Sequence, residues 1–292
     1  MKTPALMILP LVSALLSACG GSSGSGGSDT AQLSMAMTDA AVNNATSLML
    51  TVDSIELKSS DGTTRTITLN NEAKTFDLLA LQGAQSVDLF TDQTVSAGDY
   101  QWMRLYIDED ASYLVTDDSA QHDISIPSNA QTGLKLNTPF TLPANQAATF
   151  VIDFDVAKSL TLANGEYKLR PTLRIVDQAE VGHIHGTVAA ELLTDCAVPQ
   201  VYAFEGSDSA FDDQGSNAAP VTSSLISYNE DNAAYEYELG YLLAGDYSLY
   251  MVCDADDPET DEDISAASDA QNVTVVLDQT VESDFEQAQL NL

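Results

Sequence analysis

The stretch Leu48-Met49-Leu50-Thr51-Val52-Asp53-Ser54-Ile55-Glu56-Leu57 decides the fold class. Leu48, Leu50 and Val52 alternate with other residues, and a side-chain period of two belongs to a strand with one buried face. Ile55 and Leu57 then sit on the opposite parity, so the phase slips by one residue between Val52 and Ile55, as it does across a β-bulge.

The same alternation recurs on either side of that stretch. Leu33, Met35 and Met37 precede it; Met103-Leu105-Ile107, Leu134-Leu136, Phe150-Ile152-Phe154-Val156 and Tyr167-Leu169 follow. Turn residues separate these runs, at Ser60-Asp61-Gly62, Asn70-Asn71, Ala97-Gly98-Asp99, Pro143-Ala144-Asn145 and Asn164-Gly165. Many short alternating segments between turns predict an all-β protein built as a sandwich. One helical segment is expected, Phe76 to Gln82, ended by Gly83.

The fragments Met37-Thr38-Asp39-Ala40, Phe76-Asp77-Leu78-Leu79-Ala80-Leu81-Gln82-Gly83, Ala97-Gly98-Asp99-Tyr100, Thr132-Gly133-Leu134-Lys135-Leu136, Phe150-Val151-Ile152-Asp153-Phe154-Asp155 and Lys168-Leu169-Arg170-Pro171-Thr172-Leu173-Arg174 occur in that order. Together they resemble the DUF4382 family of bacterial lipoproteins over about residues 31–177. The resemblance implies an exported β domain and, the family being of unknown function, no catalytic residue. Ala41 departs from the proline that family members often carry there.

Beyond Gly182 the pattern starts afresh with Gly182-His183-Ile184-His185-Gly186-Thr187-Val188 and returns in Ala233 to Leu239, Leu243 to Tyr247 and Val273-Thr274-Val275. This segment is similar to carboxypeptidase-regulatory-like or transthyretin-like modules, which implies a second small β-sandwich. Two sandwiches in tandem are therefore expected, at 31–178 and 182–292. The turn Ala244-Gly245-Asp246-Tyr247 repeats Ala97-Gly98-Asp99-Tyr100, and Gly165-Glu166-Tyr167 is a looser third instance. Glycine's freedom at positive φ and an acidic turn residue explain such a recurrence through local preference.

The N-terminus gives an address. Met1 and Lys2 supply a positive start, Ala5 to Leu16 an apolar run too short to cross a bilayer, and Leu16-Ser17-Ala18-Cys19 resembles a lipobox. That resemblance implies a signal peptide at 1–18 and an acylated Cys19 as membrane anchor. The linker 19–30 contains a glycine and serine tract, Gly20 to Ser28, with the composition of a flexible tether. By the same resemblance, Gly20 after the cysteine, where an aspartate would imply inner-membrane retention, implies the outer membrane.

A formal charge of −34 argues against nucleic acid as a partner, because phosphate would repel it. The charge is uneven: no Lys or Arg follows Arg174. Once Cys19 is lipidated, Cys196 and Cys253 are the remaining cysteines, and an oxidising compartment pairs them as a disulfide.

Three groups of residues have the composition of a site. His183 and His185 lie two apart on an expected strand and share a face, as two zinc ligands would, although no third ligand is evident. Asp254, Asp256, Asp257, Asp261 and Asp263, together with Glu259 and Glu262, form an acidic run rich in the hard oxygens that calcium takes. A solvated loop without metal is the simpler reading of that run, so no cofactor is expected, with calcium the alternative. Lys168, Arg170 and Arg174 are expected on one strand face, forming a stripe for an anion or partner. Pairing with Asp153 and Asp155 across a ladder is the favoured arrangement, and the stripe is the alternative.

No nucleophile with its base and no metal triad is recognisable. The sequence therefore points to a lipid-anchored, non-catalytic binding or structural protein of the envelope. A surface-polymer hydrolase with an unrecognised carboxylate pair is the alternative, and a calcium-binding surface protein is another.

Overall fold

The computed structural model describes residues 29–40, 45–69, 75–127, 133–170 and 172–286. Cys19, its tether and Ala41 lie outside them. The described chain is all-β, in four sheets, and among the described residues no helix is long and apolar enough to cross a membrane.

The first fourteen strands are β1 (Thr30–Ala40), β2 (Ala45–Ser59), β3 (Thr64–Thr68), β4 (Thr75–Asp77), β5 (Val87–Ser96), β6 (Gly98–Ile107), β7 (Tyr113–Thr116), β8 (Gln121–Ser125), β9 (Leu134–Leu136), β10 (Phe140–Leu142), β11 (Ala147–Asp155), β12 (Leu160–Ala163), β13 (Glu166–Leu169) and β14 (Thr172–Asp177). One sheet runs β14-β11-β1-β5 and the other is organised on β2. Between them lies one core containing Leu33, Met35 and Met37 from β1, Leu48 to Leu57 from β2, and Phe150, Ile152 and Phe154 from β11.

The phase slip in β2 is real. The register of β2 against β6 shifts between Val52 and Ser54, and Leu48, Leu50, Val52, Ile55 and Leu57 all point into the core. The bulge also marks a change of partners: β4 and β7 pair with the first half of β2, β3 and β6 with the second. One long strand thereby follows the core through a bend without turning its apolar side to water.

The helix expected at Phe76 to Gln82 is absent, and only Leu78–Ala80 forms a 3₁₀ turn. Before it, Phe76 is held in register opposite Leu50 of β2; after it, the Leu81 carbonyl accepts the Asp39 N–H. With strand bonds claiming both ends, too few residues remain to nucleate an α-helix. Asn164 and Gly165 instead form the predicted tight turn, both at positive φ, and join β12 to β13 as a two-residue hairpin.

The remaining strands are β15 (Val181–Val188), β16 (Gln200–Glu205), β17 (Thr222–Leu225), β18 (Ser227–Asn229), β19 (Ala234–Leu243), β20 (Gly245–Val252), β21 (Gln271–Val275) and β22 (Thr280–Glu282). They make two sheets, β18-β19-β15-β22 and β17-β16-β20-β21, around a second core that includes Ile184, Val201, Leu239, Leu249 and Met251. Cys196 and Cys253 form the expected disulfide, with Cα atoms 4.5 Å apart, within the range such a bond spans.

The turns at Gly98 and Gly245 share more than composition. In each, the tyrosine two residues on returns its hydroxyl to the carbonyl four residues before it, Tyr100 to Ser96 at 2.8 Å and Tyr247 to Leu243 at 2.9 Å. In each, the intervening aspartate accepts a threonine hydroxyl from the next strand, Asp99 from Thr141 and Asp246 from Thr274, both at 2.7 Å. The tyrosine-to-carbonyl bonds, neutral on both sides, contribute about 1 kcal/mol each, and the bonds to the aspartates somewhat more.

The two sheet pairs are joined by a short turn, Gln178–Glu180, and pack directly on one another. Ala36, Val151 and Val176 on the outer face of the β1–β11–β14 sheet meet Val181 and Tyr241. A bulge in β19 opposite Gly182 and Ile184 places Tyr241 at φ 52, a left-handed conformation that a bulky side chain rarely takes. It aims the ring at the first half, where the Tyr241 hydroxyl donates to the Ala84 carbonyl at 3.0 Å. Beside it Gly240 lies against the Gly83 carbonyl, so close that a Cβ would overlap it.

Candidate functional site

Between the two sheet pairs opens a cleft of about 570 Å³. One wall is the β12–β13 hairpin, giving Leu160, Thr161, Leu162 and Tyr167. The facing wall is the acidic run, giving Asp256, Asp257, Glu259 and Glu262. Leu162 is 61% exposed, an apolar side chain left at the cleft mouth. Thr161 bridges the walls by donating to Glu259 at 2.8 Å.

The acidic wall has structure because aromatic packing holds it. Tyr202 and Phe204 of β16 and Val252 of β20 face outward, and Phe211, Tyr250 and Ile264 pack over them, so the connections after β16 and β20 are fastened to the outside of the sheet. Asp256 accepts the Tyr202 hydroxyl at 2.7 Å and the Gln214 N–H at 2.9 Å. Burial raises the Asp256 carboxyl above the usual range, these two donors hold it down, and the charges of Asp213 and Glu262 push it up again. Of the calcium candidates, Asp261 lies within ligand distance of other carboxylates, those of Asp212 and Asp213. Asp254, Asp256, Asp257 and Asp263 do not belong to that group.

A smaller cavity of about 300 Å³ lies where Asp153, Asp155, Lys158 and Arg174 meet Pro220 and Thr222 of the second half. The ladder expected from charge pairing is present: β11 and β14 are antiparallel with Asp153 opposite Arg174, whose Nε donates to Asp153 Oδ2 at 2.5 Å. Lys158 contacts Asp155 at 3.6 Å and donates to the Pro220 carbonyl at 3.1 Å, a link between the halves. Burial raises the Asp155 carboxyl, and the Lys158 ammonium opposes the rise. Arg174 Nη2 is buried without a hydrogen-bond partner and is the donor left over in this group.

The alternative stripe does not form. Lys168 lies on β13 and Arg174 on β14, strands of different sheets, with Arg170 on the connection between them. The run of like residues is cut because the chain passes from one sheet to the other between β13 and β14.

The histidine pair is not assembled for zinc either. His183 Nδ1 takes the Tyr241 N–H at 3.3 Å, and its ring meets Tyr241 edge-on. His185 Nδ1 bonds Glu282 at 3.0 Å, and its Nε2 lies 3.9 Å from Glu236. Neither belongs to a three-ligand group among the described residues.

Sequence reasoning missed the role of the shared motifs. Thr38 donates its hydroxyl to the carbonyls of Leu81 and Gln85, at 2.9 and 2.7 Å, while Asp39 Oδ1 accepts the Val156 N–H at 3.2 Å. Asp77 accepts from Leu48 N and Leu79 N. Motifs far apart in sequence thus converge on one polar fastening of the first core, a structural use of short polar side chains. The sequence also gave no reason to link Trp102 with cations, yet Arg104 lies 4.3 Å over its ring and Lys135 5.2 Å from it.

Comparisons with known proteins add the following. Residues 30–171 match the model of a domain of unknown function, DUF4382. No functionally curated protein matches the chain. Similar solved structures include a leucine-rich repeat protein from Bacteroides thetaiotaomicron, 12% identical over 90% of this chain with a TM-score of 0.22; the chain spans 26% of its length. Also similar are a candidate cell adhesion protein from Bacteroides fragilis, 9% identical over 87% of this chain and 92% of that one with a TM-score of 0.22, and another from Parabacteroides distasonis, 10% identical over 84% and 90% with a TM-score of 0.21.

Proposed function

We propose that the protein is an exported, lipid-anchored binding module of two tandem β-sandwiches, held in the outer membrane through Cys19, and that it takes its partner in the cleft between them. The observation that carries this reading is the composition of the cleft. Leu160, Leu162 and Tyr167 supply an apolar face, and Asp256, Asp257, Glu259 and Glu262 supply an acidic one. A partner that presents cationic groups beside apolar surface, such as an amine-bearing polymer of the envelope or a basic protein segment, matches both faces.

The carboxylates most buried in the smaller cavity are engaged with cations rather than aimed at a reaction: Asp153 with Arg174 and Asp155 with Lys158. A second reading has one observation behind it. Asp256, raised above the usual carboxylate range beside Glu262 in the cleft wall, is a carboxyl that a hydrolase would use as a general acid.

One experiment addresses both readings. The soluble form lacking Cys19 is used to capture partners from envelope extracts and is assayed beside that against a panel of hydrolase substrates. Leu162→Ala and Glu262→Gln are each expected to weaken capture about fivefold, the effect of about 1 kcal/mol at a buried contact. Turnover abolished by Asp256→Asn would replace the binding reading with the enzymatic one.

A further inference from the structure

Asp213 is 1% exposed, yet its Oδ2 is buried without a hydrogen-bond partner. Its other oxygen is occupied, Oδ1 accepting the Gly215 N–H at 2.8 Å. A buried carboxylate oxygen with nothing to bind is costly, because water solvates it in the unfolded chain and nothing replaces that water here. Among the described residues, the protein offers no cation to this carboxylate: none of the ion pairs includes it, and the sequence holds no Lys or Arg after Arg174.

What surrounds Asp213 is more carboxylate. One oxygen each from Asp212, Asp213 and Asp261 lie within 4.8 Å of one another. Two distant loops are brought together to achieve this. Gly215 lies against the backbone of Thr260 and Asp261 so tightly that a Cβ there would overlap the Thr260 carbonyl, so glycine at 215 lets the second loop approach. Phe211 and Ile264, packed on the same aromatic face, hold the two loops from beyond the acidic group. Like charges gathered by packing repel one another unless something of opposite charge lies between them.

We propose that Asp212, Asp213 and Asp261 bind a calcium ion. The donor set is hard oxygen throughout, which suits calcium or magnesium and not zinc. The carboxylates come from two loops and differ in burial, from the enclosed Asp213 to the exposed Asp261. Such a site leaves positions for water and tolerates irregular geometry, which calcium accepts and magnesium does not. Asp212 and Asp213 stand outside the acidic run that draws attention in the sequence, and that run contributes Asp261. The proposal does not rest on what the cleft binds.

The test uses the full-length protein, stripped with chelator and titrated with calcium chloride, with magnesium chloride in parallel. Binding is followed by calorimetry, by melting temperature and by terbium luminescence excited through Tyr202, whose hydroxyl is bonded by Gln214 beside Asp213. Melting temperature is expected to climb with the logarithm of free calcium, with a smaller response to magnesium. Asp261→Asn, an exposed change that leaves the core untouched, is expected to weaken calcium at least about tenfold, and Asp213→Asn more, because charge count sets affinity in such sites. Asp263→Asn, outside the trio, leaves binding unchanged. No response of the wild type to millimolar calcium overturns the proposal. So does a response that survives Asp261→Asn, which puts the ion elsewhere.

Discussion

His183 and His185 stand two residues apart on β15 and meet opposite electrostatic surroundings. Burial lowers the His183 pKa below 6.5 despite the carboxylates of Glu238 and Asp278, and its Nδ1 accepts a backbone N–H, which the neutral ring does. At His185 burial also opposes the charge, but the hydrogen bond and charge of Glu282, with Glu236 and Glu238, more than offset it and raise the pKa. The linkage signs therefore differ. The contribution of His185 is fully present below pH 6.5 and is lost as pH rises through its raised native value. His183 acts the other way, resisting in the native state a proton that the unfolded chain accepts as pH falls below 6.5. Denaturant midpoints measured from pH 6.5 to about pH 8 should decline in the wild type and stay flat in His185→Gln. An equal decline in the variant would assign the effect to another group. The alternation of the strand made the pair visible in the sequence. Its four acidic neighbours could not be read there, because they come from β19, β22 and the connection before β22.

At the scale of elements, the strands whose side chains alternate were the legible ones. The parity slip in β2, the two-residue hairpin at Asn164-Gly165 and the paired corners at Tyr100 and Tyr247 follow from residue types at fixed spacing. Elements decided by competition were not legible: Leu78–Ala80 has a helix former's composition but loses its flanks to strand bonds, and Arg174 leaves Lys168 because the chain changes sheets. The acidic trio was beyond reach for a third reason. Asp213 and Asp261 become neighbours only through the contact of Gly215 with Thr260, which no local pattern announces. The disulfide belongs to this scale as well. It ties the connection before β16 to the end of β20, where Ala197 and Val198 both donate to the Cys253 carbonyl, at 3.0 Å each. Replacing both cysteines by serine should destabilise the second half by about 4 kcal/mol in the chain-entropy model for a loop of this length. An unfolding midpoint that does not move under reducing and non-reducing conditions would contradict it.

For the whole molecule, the packing of Tyr241 and Gly240 on the first half gives the cleft walls a fixed partner on each side. If the Gly20 to Ser28 tract acts as the flexible tether its composition implies, the orientation of the assembly at a membrane is left free. If Cys19 carries lipid, Cys19→Ser moves the protein from the membrane fraction to the soluble one without changing its fold. Retention of the serine variant in washed membranes would remove the anchor from the proposal. A single acyl chain holds a protein only reversibly, so lipid analysis of the mature N-terminus should find at least two chains.

The place of β1 has a mechanical consequence. The proposed tether would join the fold at Thr30, and β1 is no edge strand: it lies between β11, with which it is in parallel register from Gln32 to Ala40, and β5, antiparallel on its other side. Tension arriving through the tether along the strand is therefore borne by both ladders in shear, with many hydrogen bonds loaded together instead of being peeled one by one. A protein that grips something with its far end while held by its near end would transmit drag through a central strand of its first sheet.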